Sequence, residues 1–322
     1  METPALANAL SEPARRLRVV VIGPGGIAQK AHLPVLVDLP EVEVVGLYGR
    51  SAERTRPVAE RFRLFMLTGP LGDALDRARE LGAEAAVVLT ATENHTEASA
   101  LALERGLDVL VEKPISRSME DAQALVRLAD ERGRILMVAF NRRYAPLYAE
   151  AHRRLAGQPL LVVAEKLRTH AADDLETAVI DDAIHQIDLL RWFGGEVDVV
   201  SVAAEESGGI FRSLVVGLRF AGGGMGSLVL SHVAGAWSER LACHEGRRTI
   251  EVLNMDALEV SEGGGTTRWA FSTWTPTLER RGFVEQARHF AACCRDRREP
   301  LTSGYEAVRT QELAVRILET LS

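Results

Sequence analysis

From Leu17 onward the chain alternates unbroken apolar runs with stretches in which apolar residues recur every three or four positions. The runs are RLRVVVIG, EVEVVGLYG, AEAAVVLTA, LDVLVEK and RILMVAF. Val, Ile and Leu without alternation mark strands buried on both faces, as in a parallel sheet. Between them lie GGIAQKAHLPVLVDL, LGDALDRARELG, HTEASALALERG and SMEDAQALVRLADERG, all with helical spacing, and SAERTRPVAERF, a helix or turn. Successive βαβ crossovers predict a doubly wound Rossmann domain over residues 17–139, preceded by a leader over residues 1–16 that reads as mobile.

After Tyr144 the pattern changes. YAPLYAEAHRRLAG reads as a helix, PLLVVAEKLRTH as a strand, and TAVIDDAIHQIDLLRWFGG as a helix stopped by Gly194 and Gly195. EVDVVSVAAEES, RSLVVGLRFA, MGSLVLSHVAG, RLACHEGRRTIEVLN and DALEVSEGG then predict strands joined by glycine turns. GFVEQARHFAACCRD and GYEAVRTQELAVRILETLS close the chain as helices. The second domain, residues 140–322, is therefore α+β with a large, mostly antiparallel sheet.

The first strand runs into Gly23-Pro24-Gly25-Gly26-Ile27-Ala28, a G-x-G-x-x-A turn between a strand and a helix. Gly23 permits the tight turn, Gly25 lets backbone approach a pyrophosphate, Gly26 and Ile27 lead into a helix N-terminus, and Ala28 allows close packing. That context predicts a dinucleotide. A ribose-binding carboxylate for NAD belongs at the end of the second strand, where this chain has Tyr48-Gly49-Arg50-Ser51 instead. Arg50 and Ser51 there favour the 2′-phosphate of NADP over NAD.

The length of 322 residues suits two domains of about 150 residues each. A net charge of -7 with interspersed signs argues against nucleic acid and anionic membrane as partners, leaving a small soluble ligand. No apolar run approaches the ~20 residues of a membrane span. Three cysteines, Cys243, Cys293 and Cys294, and scattered histidines suggest neither a disulfide framework nor a metal site, which points to reduced thiols and a cytoplasmic location.

GPGGIAQKAHLPVL, then LVEKP, then D-x-x-x-H-x-x-D, in that order, resemble the motifs of the Gfo/Idh/MocA oxidoreductases. FNRRYAPLY is similar to that family's entry into its second domain, and the tail from RRGFVEQARHF onward to its closing helices. The resemblance implies hydride transfer between NADP or NAD and a sugar, cyclitol or related polyhydroxylated molecule, and a dimer or tetramer formed through the second sheet. It implies that Glu112 and Lys113 of VLVEKPIS lie beside the nicotinamide and that Lys113 touches the reacting oxygen. The physics agrees, because ligands of open α/β sheets bind beyond the carboxyl ends of the strands and a lysine there stabilises a developing oxyanion.

In VIDDAIHQIDLL, Asp181 and His185 stand four apart, so Asp181 is expected to orient His185 as the proton carrier. Asp182 is a rival carboxylate, and Asp188 could instead satisfy a merely buried His185. Ala183 replaces the glycine of the family's D-x-G-x-H. In TATENH, where the family has T-P-N-x-x-H, Thr90 and His95 match while Ala91 and Thr92 replace proline and asparagine; Thr90, Thr92 and His95 are expected to border the cofactor. Arg143 and Lys166 either meet the substrate or form ion pairs. Two other functions stay open: reduction of an imine or enone, and a silent dinucleotide-binding sensor.

Overall fold

The computed structural model describes residues 15–169 and 174–321, so most of the expected leader lies outside the described residues. Six parallel strands form the first sheet: β1 (Leu17–Ile22), β2 (Val42–Tyr48), β3 (Met66–Leu67), β4 (Ala85–Val88), β5 (Asp108–Val111) and β6 (Leu136–Val138). Their spatial order, β3-β2-β1-β4-β5-β6, is the dinucleotide-binding order, with its switch point between β1 and β4. The two-residue β3 is too short to leave a sequence pattern. It makes the strand before Lys113 the fifth of the sheet rather than the fourth.

Every residue of β4 and β5 is buried, as strands covered on both faces must be. Ala28 is fully buried among Val19, Val21 and Leu33, the close contact its small side chain permits. The helix after the glycine turn opens with a π-helical turn, Ala28–His32, before Leu33–Asp38 continues as α-helix.

The second sheet has eight strands: β7 (Leu161–Leu167), β8 (Val197–Ser207), β9 (Ile210–Phe220), β10 (Met225–Ser231), β11 (Ser238–Glu245), β12 (Arg248–Leu253), β13 (Ala257–Glu262) and β14 (Gly265–Ala270). Its order is β14-β13-β12-β11-β7-β10-β9-β8, and every pair is antiparallel except β7 with β10. In β7 alternate residues are fully buried, so one face carries the core and the other is only partly covered. Helix Ile184–Gly194 packs on the covered face, sharing its core with Val162, Ala164, Leu228 and Leu230.

That helix has a composite start. Leu175–Thr177 is α-helical, Ala178–Ala183 is a π-helical turn, and regular α-helix begins only at Ile184. The tail helices pack on both sheets: Leu313, Ala314 and Ile317 join the second sheet's core. Ala287, Phe290 and Ala291 join the core against β1, and Ala307 and Val308 join the core beneath β5 and β6. No helix among the described residues is long and apolar enough to cross a membrane.

Candidate active site

At the carboxyl ends of β1, β2 and β4 lies a cavity of roughly 510 Å³, lined by the glycine turn, Tyr48–Ser51, Leu89–Ala91, Asn94 and Glu97. Gly23 has φ +105°, and a Cβ there would meet the Leu89 carbonyl at 2.7 Å, so only glycine lets this turn pass β4. A Cβ on Gly26 would have nothing within 4 Å, so that backbone stays open to an incoming group. The Thr90 hydroxyl is buried without a hydrogen-bond partner. An accessible glycine backbone, a helix start and an orphaned hydroxyl fit the phosphates of a dinucleotide. Arg50 and Arg54 bring positive charge to the cavity. Ser51 caps the helix Ala52–Phe62, its Oγ accepting from the Arg54 amide at 3.3 Å.

The other residues expected around the cofactor do not line this cavity. Ile27 is exposed and Thr92 opens a short 3₁₀ turn. His95 is buried, its ring nitrogens 2.8 Å from the Pro114 carbonyl and 3.1 Å from that of Thr90. It ties the loop after β4 to the turn after β5 rather than bordering the open cavity. Glu112 is also buried, with Oε1 2.7 Å from Nε2 of His32.

Lys113 leaves the end of β5 and donates from Nζ to the main-chain oxygen of Asp181 at 2.6 Å. This contact spans 68 residues and brings the E-K-P turn to the D-D-A-I-H segment. Burial pushes the Lys113 ammonium below its ordinary value, against the pull of Glu112 and Asp181.

The expected pairing of Asp181 with His185 is corrected. The Asp181 carboxylate accepts from Arg117 at 2.9 Å, and Nδ1 of His185 is buried with no hydrogen-bond partner. The π-helical turn that contains Asp181 holds more residues per turn than an α-helix, so four-residue spacing no longer stacks the two side chains. Asp188 does not satisfy His185 either, since it accepts from Arg143 at 2.7 and 2.9 Å.

Asp182 is the more deeply engaged carboxylate. It meets Lys166 at 2.6 Å, His232 at 2.9 Å and Arg168. Burial opposes its ionisation, but Arg168 and Lys166 hold it well below the ordinary carboxylate range. Lys166, only 2% exposed, is pushed down to about 7 by burial and by the nearby Arg142. Arg142 in turn makes a buried bidentate pair with Glu239 at 2.6 and 2.7 Å.

Burial, with the charges of Arg142, Lys113, Lys166 and Arg168, drives the His185 imidazole well below its ordinary value. His185 is thus held as a neutral ring near these cations.

The possibility that Arg143 meets substrate is also corrected. Its guanidinium is fully occupied by Asp188, Glu306 at 3.1 Å and the Leu301 carbonyl at 3.2 Å, tying the turn after β6 to two helices. Reading the sequence missed His32, Arg142, Arg168, His232 and Glu239 as members of these networks. The doubled arginine of FNRRY was the one available signal, because two adjacent cations at a domain entry each need a partner.

The family description "Oxidoreductase family, NAD-binding Rossmann fold", named GFO_IDH_MocA, matches residues 17–140. YceM of Salmonella typhimurium is 32% identical over 313 residues, spanning 95% of this chain and 97% of that protein. The chain belongs to the Gfo/Idh/MocA oxidoreductase family. The scyllo-inositol 2-dehydrogenase (NAD(+)) of Bacillus subtilis is 23% identical over 93% of this chain and 92% of its own length. Among solved structures, the dehydrogenase MviM of Clostridium difficile matches with a TM-score of 0.88 at 24% identity, covering 95% of this chain and 100% of that one. This Gfo/Idh/MocA member therefore has the family's NAD-binding Rossmann domain and its two-sheet architecture.

Proposed function

We propose that this protein oxidises or reduces a carbinol or carbonyl carbon of a sugar, cyclitol or related polyhydroxylated molecule, with NADP preferred over NAD. The observation that carries the reading is the contact of Lys113 Nζ with the Asp181 carbonyl, which joins the cofactor domain's E-K-P turn to the segment bearing His185. The scyllo-inositol enzyme among its relatives supports the substrate class. A nicotinamide dinucleotide bound at the glycine turn supplies the hydride acceptor or donor. Residues 17–139 hold it and supply Lys113, and residues 140–322 supply His185 and most of the substrate site.

In the oxidising direction neutral His185 takes the hydroxyl proton through an imidazole nitrogen, while the Lys113 ammonium stabilises the oxygen as charge develops. Reduction runs through the same groups in reverse. Asp181 contributes its main-chain oxygen, which positions Lys113, and Lys166, buried and tied to the Asp182 carboxylate and carbonyl, braces the segment that carries His185. Arg50 and the helix start at Ser51 favour a 2′-phosphate. Exposed Val200, Ile210, Val215 and Met225 on β8–β10 support association of two or four copies through this sheet, which sedimentation velocity reads directly. Three buried free cysteines suit a reducing compartment such as the cytoplasm.

Titrating the protein with NADPH and NADH while following cofactor fluorescence tests the first step. Tighter binding of NADPH is expected, reversed by Arg50→Asp; no response to either cofactor sinks the dinucleotide reading. On a panel of inositols and sugars, Lys113→Ala and His185→Ala should each lower kcat by about a hundredfold or more with cofactor binding kept. Full activity in Lys113→Ala removes the role given to it.

A further inference from the structure

His32 ends the π-helical turn that follows the glycine turn, and it is 4% exposed. Its Nε2 lies 2.7 Å from Oε1 of Glu112, which is 80 residues away and itself 9% exposed. The Phe283 ring, from the tail helix, packs at nearly a right angle to the His32 ring, 5.4 Å between centroids. The other Glu112 oxygen accepts from the main-chain amide of Lys113 at 3.1 Å. One buried carboxylate thus has a histidine on one oxygen and the backbone of the active-site lysine on the other. A buried carboxylate in a sheet protein is costly unless both oxygens are satisfied, and here both are.

We propose that His32 is a positioning residue for hydride transfer: it holds the Glu112 carboxylate in place as the counter-charge that keeps the buried Lys113 protonated. The inference rests on the reading of Lys113 as the group that meets the reacting oxygen.

The surroundings of Lys113 show why this counter-charge matters. Burial drives its ammonium toward the neutral form; Glu112 opposes this most, followed by Asp181 and, more weakly, Asp182, while Arg142 acts in the same sense as burial. Asp181 is shared with Arg117, and Asp182 with Lys166, Arg168 and His232. Glu112 is the carboxylate adjacent to Lys113 in the chain. Burial works against its ionisation, and the hydrogen bond and charge of His32, with Lys113, outweigh that and hold it below the ordinary range. Without the His32 donor, Glu112 takes up a proton more readily. Lys113 then loses its principal partner and gives up its proton at lower pH.

The test labels the protein with trace acetic anhydride across about pH 6 to 10 and follows the Lys113 peptide by mass spectrometry, with exposed Lys30 as internal reference. His32→Phe should move the Lys113 midpoint to lower pH. Glu112→Gln should move it further, by about one pH unit. His32→Gln, which keeps a donor near the Nε2 position, should restore most of the wild-type value. An unchanged midpoint in folded His32→Phe and in isosteric Glu112→Gln overturns the proposal. The alkaline limb of kcat should shift in the same order. If the labelling midpoint moves while Lys113→Ala keeps full turnover, His32 does tune Lys113 and the catalytic reading of Lys113 is what fails.

Discussion

The glycine turn after β1 and the cluster around Asp182 are built from different materials. At the turn the main chain does the work: Gly23 at φ +105° slips past Leu89, the helix start presents amides, and a single hydroxyl, Thr90, waits for a partner. Around Asp182 side chains do it, with Lys166, Arg168 and His232 drawn from β7 and the end of β10 onto one carboxylate. A main-chain site is specified by neighbours in sequence, whereas a buried ionic site needs partners brought from distant strands. The first tolerates an added side chain only where space is open; the second tolerates no loss of a charge, because the remaining ions stay buried without compensation.

The sharpest way to break the contrast compares adjacent carboxylates. Asp182→Asn should cost about 3 kcal/mol or more in urea unfolding, since Lys166 and Arg168 lose the carboxylate they share. Asp181→Asn, whose carboxylate meets the half-exposed Arg117, should cost about 0–1 kcal/mol. Equal losses would show that Asp182 is not the keystone of the cluster.

A smaller effect is expected at the turn. Gly23→Ala must strain a positive φ and push against the β4 backbone, costing on the order of 1–3 kcal/mol and weakening NADPH binding at least tenfold. Gly26→Ala, with open space at its Cβ, should leave unfolding nearly unchanged while still hindering the phosphates. Unchanged cofactor affinity in both variants would place the dinucleotide elsewhere.

The smallest effect concerns pH. His185 is held neutral in the folded protein, so its folded value lies below the ordinary 6.5 of the unfolded chain. Above that value neither state binds the proton and the folded protein suffers no penalty. As pH falls through 6.5 the unfolded chain takes up the proton first, and stability declines. His185→Gln should therefore flatten the fall of the urea midpoint between about pH 7 and 5. The same slope in both proteins would mean that His185 is not the group responsible.

Much of this was legible beforehand. Unbroken Val and Ile runs marked five of the six parallel strands, since a strand covered on both faces has no polar side to alternate. The glycine turn, the Ala28 contact and the position of Lys113 at a strand end followed from local sequence. The Asp181–His185 pairing failed because spacing rules assume an α-helix, and the π-helical turn at Ala178–Ala183 shifts the side chains by part of a turn. Arg143 stayed open between substrate and ion pair because Asp188, 45 residues away, cannot be assigned to it from sequence.

Sequence by itself determined what periodicity and backbone chemistry determine: the order of strands and helices, the turn that only glycine permits, and which residue ends each strand. Tertiary structure alone decided which charges meet. His32 with Glu112, Arg142 with Glu239 and Asp182 with Lys166, Arg168 and His232 are separated by 14 to 97 residues. Pairing buried ions depends on distances in space that no local pattern encodes, because any of 38 lysines and arginines could in principle have answered any of 45 carboxylates.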